Sequence, residues 1–344
     1  MEQKRKYELS ALNVLFCLLV IFIHIISYPV SEFQAGTVKY SICMLLWRMS
    51  SFVVQGFIML SGLKLFLNKK YEMPYGKYLK SRLLTIVLPY TVCFIVYYAA
   101  YMVAFSYPVD VMFILKQYLT GGLVCHLYFI PLLLQFDLLL PLWKKIVDKV
   151  SFIIAIPFSV FVAVIFENSF VQILSAIFPN FTFVYNDRLF TTYVAYWIIG
   201  CYIGKNYDTF CEMLKKNSKS VIAMFLFSLL LNGVVSYISF NIILSISYVN
   251  AVHDLYILCT IIFLFVPALK YSEKIFLKIG FLKLIDKSSF YIYLYHMLVL
   301  LAVNKLLEIT GIAETGTAFA IRAFTVYLIT PILCIIYIKL KKKI

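Results

Sequence analysis

The chain has 344 residues, of which 63% are hydrophobic and only 14% are charged. Soluble domains are nearer half apolar and a quarter charged, so this composition excludes a soluble protein and indicates a membrane protein with several spans. The formal net charge of +15 would suit a nucleic-acid partner, but the distribution of that charge along the chain excludes one.

Ten apolar stretches approach the length of about 20 residues that a membrane-spanning helix needs. Backbone polar groups in lipid must be hydrogen-bonded within their own segment, so we expect helices. No Pro- or Gly-rich linker and no internal repeat interrupts them. The sequence therefore predicts an all-α, polytopic membrane protein of about ten helices, with 1–344 as a single domain. The predicted spans are residues 9–28, 42–66, 83–105, 127–143, 150–167, 189–204, 220–240, 252–269, 288–304 and 318–338.

Basic residues are concentrated in alternate loops between these spans. Cytoplasmic loops carry such an excess, so the pattern predicts that both termini are cytoplasmic, and it explains the positive charge without nucleic acid. The basic clusters are Lys4–Lys6, Lys64–Arg82, Lys144–Lys149, Lys205–Lys219, Lys270–Lys287 and Lys339–Lys343.

The eight cysteines form no CxxC pair and no Cys/His spacing of the kind that binds a metal. Most of them lie within apolar stretches, where cysteine behaves as a small hydrophobe. We therefore expect neither a disulfide framework nor a metal site.

Two outer loops, residues 106–125 and 168–188, are longer than a turn, amphipathic and rich in aromatics. They are expected either to lie along the membrane interface or to re-enter the membrane and shape the mouth of a cavity.

All four histidines fall in or beside predicted spans. His24 lies near the outer end of the first span, His126 opens the fourth, and His253 opens the eighth. For His253 an amphipathic position at the interface is the simpler interpretation. His296 is nearer the centre of the ninth span, where either a functional role or a hydrogen bond between helices would explain it.

Arg48, Asp137 and Arg322 are charged residues that lie within predicted spans and away from the last three residues at either end. Arg48 either reaches to the headgroups or faces inward to bind an anionic group. Asp137 is a candidate counter-ion for a buried arginine or histidine. Arg322 lies closer to the outer end of its span, which favours a side chain that reaches to the headgroups.

Lys77, Lys80 and Arg82 directly precede the third span. The cytoplasmic charge bias alone accounts for them. Three cations beside a span would also suit the phosphates of an anionic nucleotide donor, and charge alone does not separate the two interpretations.

Several stretches together resemble the membrane-bound acyltransferase 3 family, which moves acyl groups onto extracytoplasmic glycans. They occur in the order found in that family, from residue 9 to about residue 300. They are LSALNVLFCLLVIFIHI (9–25), GFIMLSG (56–62), YLKSRLLTIVLPY (78–90), CHLYFIPLLLQF (125–136), YWIIGCYIG (196–204) and SSFYIYLYH (288–296).

The chain also departs from the family pattern. The basic residue that the family carries before the histidine of its first helix falls on Asn13, and the paired arginines before the third helix are reduced to Lys80 and Arg82.

The resemblance implies an O-acyltransferase, foremost an O-acetyltransferase, in the bacterial cytoplasmic membrane. Its donor would be cytoplasmic acetyl-CoA or another acyl-CoA, bound through Lys80 and Arg82, with Asn13 near the donor. The acceptor would be a hydroxyl of an extracytoplasmic or lipid-linked glycan.

In this hypothesis His24 acts as the base, because a neutral imidazole accepts protons near pH 7. Arg48 would stabilise developing negative charge, and His126 and His296 would orient His24 or the acceptor. A polysaccharide exporter or flippase and a scaffold protein are the alternatives, and a homo-oligomer is compatible with the sequence.

Overall fold

The computed structural model describes residues 5–178 and 183–341, and within these ranges the chain forms helices and no β-strand. The basic N-terminal cluster predicted from the sequence lies partly outside the described residues. The helices are α1 (Tyr7–Glu32), α2 (Val38–Ser50), α3 (Val53–Leu67), α4 (Tyr75–Arg82), α5 (Leu88–Phe105), α6 (Val111–Thr120), α7 (Phe129–Leu138), α8 (Leu140–Lys149), α9 (Phe152–Asn168), α10 (Phe170–Ile177), α11 (Phe190–Lys205), α12 (Tyr207–Lys216), α13 (Ser218–Phe240), α14 (Val249–Lys278), α15 (Gly280–Thr310) and α16 (Thr315–Lys341).

The all-α membrane fold is confirmed, but the prediction of ten spans is wrong. In the described part of the chain, seven helical stretches are long and apolar enough to cross a membrane, or eight if α9 and α10, bent by 53°, count as one. The seven are Tyr7–Glu32, Val38–Leu67, Tyr75–Phe105, Ser218–Phe240, Val249–Lys278, Gly280–Thr310 and Thr315–Lys341.

The predicted fourth and sixth spans fail for different reasons. The fourth divides into α7 and α8, each of 10 residues, because the chain leaves helical geometry at Leu139 and Pro141 then opens the next helix. The sixth is α11, whose 16 residues extend about 24 Å at 1.5 Å per residue, short of a hydrocarbon core of about 30 Å. Most of α11 is covered by protein, so its length need not match the bilayer.

The described helices form two compact units. The first consists of Met1–Gly56 and Thr209–Ile344, and the second of Phe57–Asp208. The prediction of a single domain stays a prediction.

In the first unit, α1 is the central helix and packs against α2, α14, α15 and α16. It is apolar over most of its length and buries Leu12, Phe16 and Ile21 almost completely. A helix that is apolar on all sides is suited to the interior of a bundle. Polar side chains on α1 are therefore placed among other helices.

In the second unit, the C-terminal part of α3 packs directly on α11 through glycines. A Cβ atom on Gly200 would lie 2.1 Å from the Met59 oxygen, and one on Gly204 would lie 2.3 Å from the Leu63 oxygen. On the opposite helix, a Cβ atom on Gly62 would lie 2.7 Å from the Trp197 oxygen. Small residues let membrane helices approach backbone to backbone, which explains the glycines in these two stretches.

The outer loops each contain a short helix, α6 in residues 106–125 and α10 in residues 168–188. The Asp110 carboxylate accepts a hydrogen bond of 2.9 Å from the Phe113 N–H at the start of α6. Gly121, at φ +62°, ends α6 in the left-handed conformation that glycine adopts without strain. Neither helix is long enough to span a membrane.

Candidate active site

His24 and His296 face each other in the interior of the first unit. Their ring centroids are 5.2 Å apart, and the rings are tilted by 33°. His296 is completely buried, whereas His24 keeps part of its surface exposed. The packing of α1 against α15 therefore brings together two of the predicted catalytic residues, and His24 is the more exposed of the two.

The backbone of α15 fixes the protonation pattern of His296. Its Nδ1 lies 2.8 Å from the Tyr293 oxygen and 3.2 Å from the Ile292 oxygen. A carbonyl oxygen only accepts hydrogen bonds, so Nδ1 carries a proton. In the neutral ring the basic lone pair is then on Nε2, and the ring orientation is set by its own helix.

Asn13 lies nearer the start of α1 and binds α15 through both N–H groups of its amide. Nδ2 donates to Asp286 Oδ1 and to Ser289 Oγ, each at 2.8 Å. Asp286 also forms an ion pair of 2.6 Å with Arg5. The amide hydrogens of Asn13 are therefore engaged within the first unit, and its assignment to donor binding stays a prediction.

Arg48 is 9% exposed, which favours the inward-facing alternative over a side chain that reaches to the headgroups. Its Nη2 donates to the Asn250 side-chain oxygen at 3.0 Å and to the Val249 backbone oxygen at 3.3 Å. The guanidinium also lies 5.4 Å from the centre of the Phe240 ring. These contacts fix Arg48 against α13 and α14.

His253 is buried in the same unit, contrary to the interface position expected from the sequence. Its Nε2 lies 2.8 Å from Ser51 Oγ, and its Nδ1 lies 3.3 Å from the Asn232 side-chain oxygen. Sequence reasoning did not single out Asn232, although an asparagine in the middle of an apolar helix is a signal of such a contact.

A second polar cluster occupies the second unit, where Asp137 is 1% exposed. Its Oδ1 accepts a hydrogen bond from the Tyr78 hydroxyl and one of 3.1 Å from Arg82 Nε. The expected role of Asp137 as a counter-ion is confirmed, with Arg82 as its partner. Tyr78 and Arg82 share a face of α4 because they are four residues apart.

Arg82 keeps hydrogen-bonding capacity after this pairing. Both of its hydrogen bonds to described residues use Nε, and its side chain is 20% exposed. Lys80 is exposed on the same helix and forms no ion pair with the residues that the structure describes. The helix continues into a π-helical turn at Leu83–Val87; such turns occur frequently at functional sites.

His126, the fourth histidine of the predicted set, also belongs to the second unit. It is 3% exposed, and its ring meets the edge of Tyr97 at a centroid distance of 5.9 Å. Of the predicted catalytic residues, the structure thus joins His24 with His296, gives Arg48 separate partners in the same unit, and assigns His126 to the second unit.

Arg322 corrects the sequence-based expectation, because it is buried and does not reach to the headgroups. It is 8% exposed, donates from Nε to Asn304 Oδ1 at 2.9 Å, and lies 4.1 Å from the centre of the Tyr28 ring. Asn304 in turn donates to the Tyr28 hydroxyl at 2.5 Å.

Comparison with known proteins gives one family. Residues 6–339 match the acyltransferase 3 family model, described as an acyltransferase domain. No curated protein and no solved structure matches the chain.

Proposed function

The chain belongs to the acyltransferase 3 family and is a membrane acyltransferase, and we propose that it acylates a hydroxyl of an extracytoplasmic or lipid-linked glycan. The proposed donor is a cytoplasmic acyl-CoA, foremost acetyl-CoA, and the proposed location is the bacterial cytoplasmic membrane. The observation that carries the proposal is the contact between His24 and His296 inside a bundle of apolar helices.

The proposed role of His24 is that of general base. A glycan hydroxyl is a weak nucleophile, and removal of its proton as it attacks lowers the barrier. His24 takes that proton while the new ester bond forms, and returns it to the sulfur that leaves when the thioester bond breaks. The ring of His296 packs against the ring of His24 and holds it in place.

The proposed donor site is formed by Lys80 and Arg82. A coenzyme A donor supplies an activated thioester and carries phosphates that need cationic partners. Arg82 fits this task because the pairing with Asp137 uses Nε and leaves its Nη groups without partners among the described residues. Lys80 adds a second, exposed charge on the same helix.

Arg48 is proposed to stabilise negative charge that develops during transfer. A buried guanidinium does so without reorganisation at the moment of reaction. The residues that fix Arg48, among them Asn250, keep the cation in one orientation.

The proposal is tested by comparing cells that express the wild type with cells that express His24→Ala at matched membrane levels. The measured quantity is base-labile acyl ester released from envelope and secreted glycans. We expect a fall of about 100-fold or more, because a general base contributes about 10²–10⁴-fold to the rate.

Ser27→Ala is the matched control. Ser27 lies on α1 one turn from His24, and among the described residues its hydroxyl donates to the His24 backbone oxygen alone, at 2.8 Å. It should leave ester levels unchanged. Ester in wild-type cells no higher than in cells that lack the gene would overturn the glycan acceptor and favour the alternative, a polysaccharide exporter.

A further inference from the structure

A pocket of about 310 Å³ lies at the end of α1 that the charge bias predicts to face outward, within the first unit. Its polar lining comes from Glu32, Asn304, Glu308 and Arg322. This volume is at the lower end of the range of about 300–1,000 Å³ that small-molecule binding sites have. Apolar side chains, among them Leu307, complete the wall.

Arg322 is the group in this pocket that lacks a full set of partners. Its Nη1 is buried and makes no hydrogen bond within the described ranges. The Glu32 carboxylate is 3.9 Å from it, too far for a hydrogen bond. A buried cationic group without a hydrogen-bond acceptor is unfavourable in free energy. A ligand oxygen at Nη1 would supply the acceptor and remove this cost.

The charges of the pocket select a neutral ligand. Arg322 offsets the charge of Glu32 at 3.9 Å, and Lys305 pairs with Glu308 at 2.8 Å, so the wall carries no net charge that would attract an anion. A hydroxyl can accept from Arg322 and donate to a carboxylate at the same time. The donors, acceptors and apolar wall therefore match a sugar with free hydroxyls and an apolar ring face.

The pocket is built on the same two helices as the histidine pair. Glu32 follows His24 by eight residues on α1, and Asn304 and Glu308 follow His296 on α15. Glu32 is about 12 Å further along α1 than His24, at 1.5 Å per residue. A ligand in the pocket is therefore too far along α1 to react at His24 itself.

We propose that this pocket binds a neutral sugar unit of the acceptor glycan, separated along the glycan chain from the unit that is acylated. This rests on the proposed function, in which the acceptor is a glycan and His24 is the base. The pocket then selects for an oligomeric acceptor and holds it while a more distant hydroxyl reaches His24.

The test measures binding of tetrasaccharides to the full-length protein, purified in detergent, by equilibrium dialysis without an acyl donor. The neutral probes are tetramers of glucose, mannose and N-acetylglucosamine, and pyrophosphate is the anionic probe. Ala313→Trp fills the pocket from an exposed position on its wall. Ala320→Trp is the control, exposed on α16 outside the pocket.

We expect at least one neutral tetramer to bind the wild type and Ala320→Trp equally, and Ala313→Trp to bind it about tenfold or more weakly. If Ala313→Trp does not fold, Glu32→Gln, which keeps the side-chain size, should weaken binding about threefold or more. Binding of none of the tetramers, equal binding to Ala313→Trp, or binding of pyrophosphate at this pocket would overturn the assignment.

The binding test is independent of acyl transfer. If cells form no ester but the purified protein still binds a tetrasaccharide, the proposed reaction is refuted and the assignment of the pocket stands. If cells form ester but the protein binds no tetrasaccharide, the assignment of the pocket is refuted and the proposed reaction stands.

Discussion

Two helix contacts in this protein differ in the side chains that they contain. The contact of α3 with α11 brings backbone against backbone through Gly62, Gly200 and Gly204. The contact of α1 with α15 contains polar side chains among apolar ones, from Asn13 near the start of α1 to the His24–His296 pair.

The difference distinguishes a contact that only holds two helices together from a contact that also contains groups able to take part in a reaction. A glycine contact gains dispersion energy from close approach and offers no group that could move a proton. Polar side chains inside apolar helices are costly unless they are paired, so their presence along α1 needs a reason beyond packing. The α1–α15 contact is therefore the better place to look for function.

The largest effect on stability is expected from Gly200→Ala. The new methyl group would lie 2.1 Å from a backbone oxygen, so the two helices must separate. Overpacking of this kind costs about 1–3 kcal/mol, and a clash with backbone belongs at the upper end. The free energy of unfolding should therefore fall by about 3 kcal/mol in an SDS titration of purified protein in mixed micelles.

Gly233→Ala is the control, because the nearest atom to its added Cβ is the flexible Met49 Cε at 3.7 Å. Its unfolding free energy should stay within about 1 kcal/mol of the wild type. Equal effects of the two substitutions would show that close approach at Gly200 is not what stabilises the α3–α11 contact.

The second largest effect on the free energy of unfolding is expected from Asp137→Ala, which tests the buried polar cluster of the second unit. Removal of one partner of a buried ion pair costs about 3–5 kcal/mol, and the partial exposure of Arg82 lowers the expected value to about 2 kcal/mol. Asp137→Asn should cost roughly half as much, because its oxygen still accepts from Tyr78 and Arg82. Equal losses in the same SDS titration would show that charge, and not hydrogen bonding, stabilises the cluster.

The sequence predicted the helical membrane fold and the longer spans because hydropathy is a local property. It failed at residues 127–143 because one apolar stretch contains two helices, and the break at Leu139 depends on backbone geometry. It failed at α11 because a short helix can be stable when protein, and not lipid, surrounds it.

The candidate site was predictable only as a set of residues. His24 and His296 stand out as polar residues in apolar stretches, but their proximity depends on the packing of α1 against α15. Arg322 looked like an interfacial residue because its partners, Tyr28 and Asn304, are distant in the sequence. The sequence marked Asp137 as a counter-ion, but the identity of its partner, Arg82, depends on the packing of α4 against α7.

The third largest expected effect is on the rate of acyl transfer, and it tests the histidine pair at the α1–α15 contact. We expect His296→Gln to lower kcat about tenfold, equivalent to about 1.4 kcal/mol, because His24 remains but loses the ring that holds it. The KM for the glycan should not change, and the pH dependence of kcat should shift. Acyl transfer by purified protein, measured across pH, checks both.

Ser288→Ala, buried two turns away on α15, is the control for His296→Gln and should leave kcat and its pH dependence unchanged. A fall in kcat for His296→Gln that is matched by lost folded protein, with no change of pH profile, would make His296 a packing residue. The polar side chains along α1 would then resemble the glycines of α3 and α11 in function.

The smallest effect is expected from Asn13→Ala. Asn13 donates to Asp286 and Ser289, but Asp286 keeps its ion pair with Arg5, so the loss should be about 1 kcal/mol of unfolding free energy. Since both amide hydrogens are engaged, the KM for acyl-CoA should not rise. Asn217→Ala, which removes only a local hydrogen bond to the Met213 oxygen, is the control. A raised KM for acyl-CoA with stability unchanged would instead place the donor against Asn13, and the part of the α1–α15 contact around Asn13 would be a binding surface.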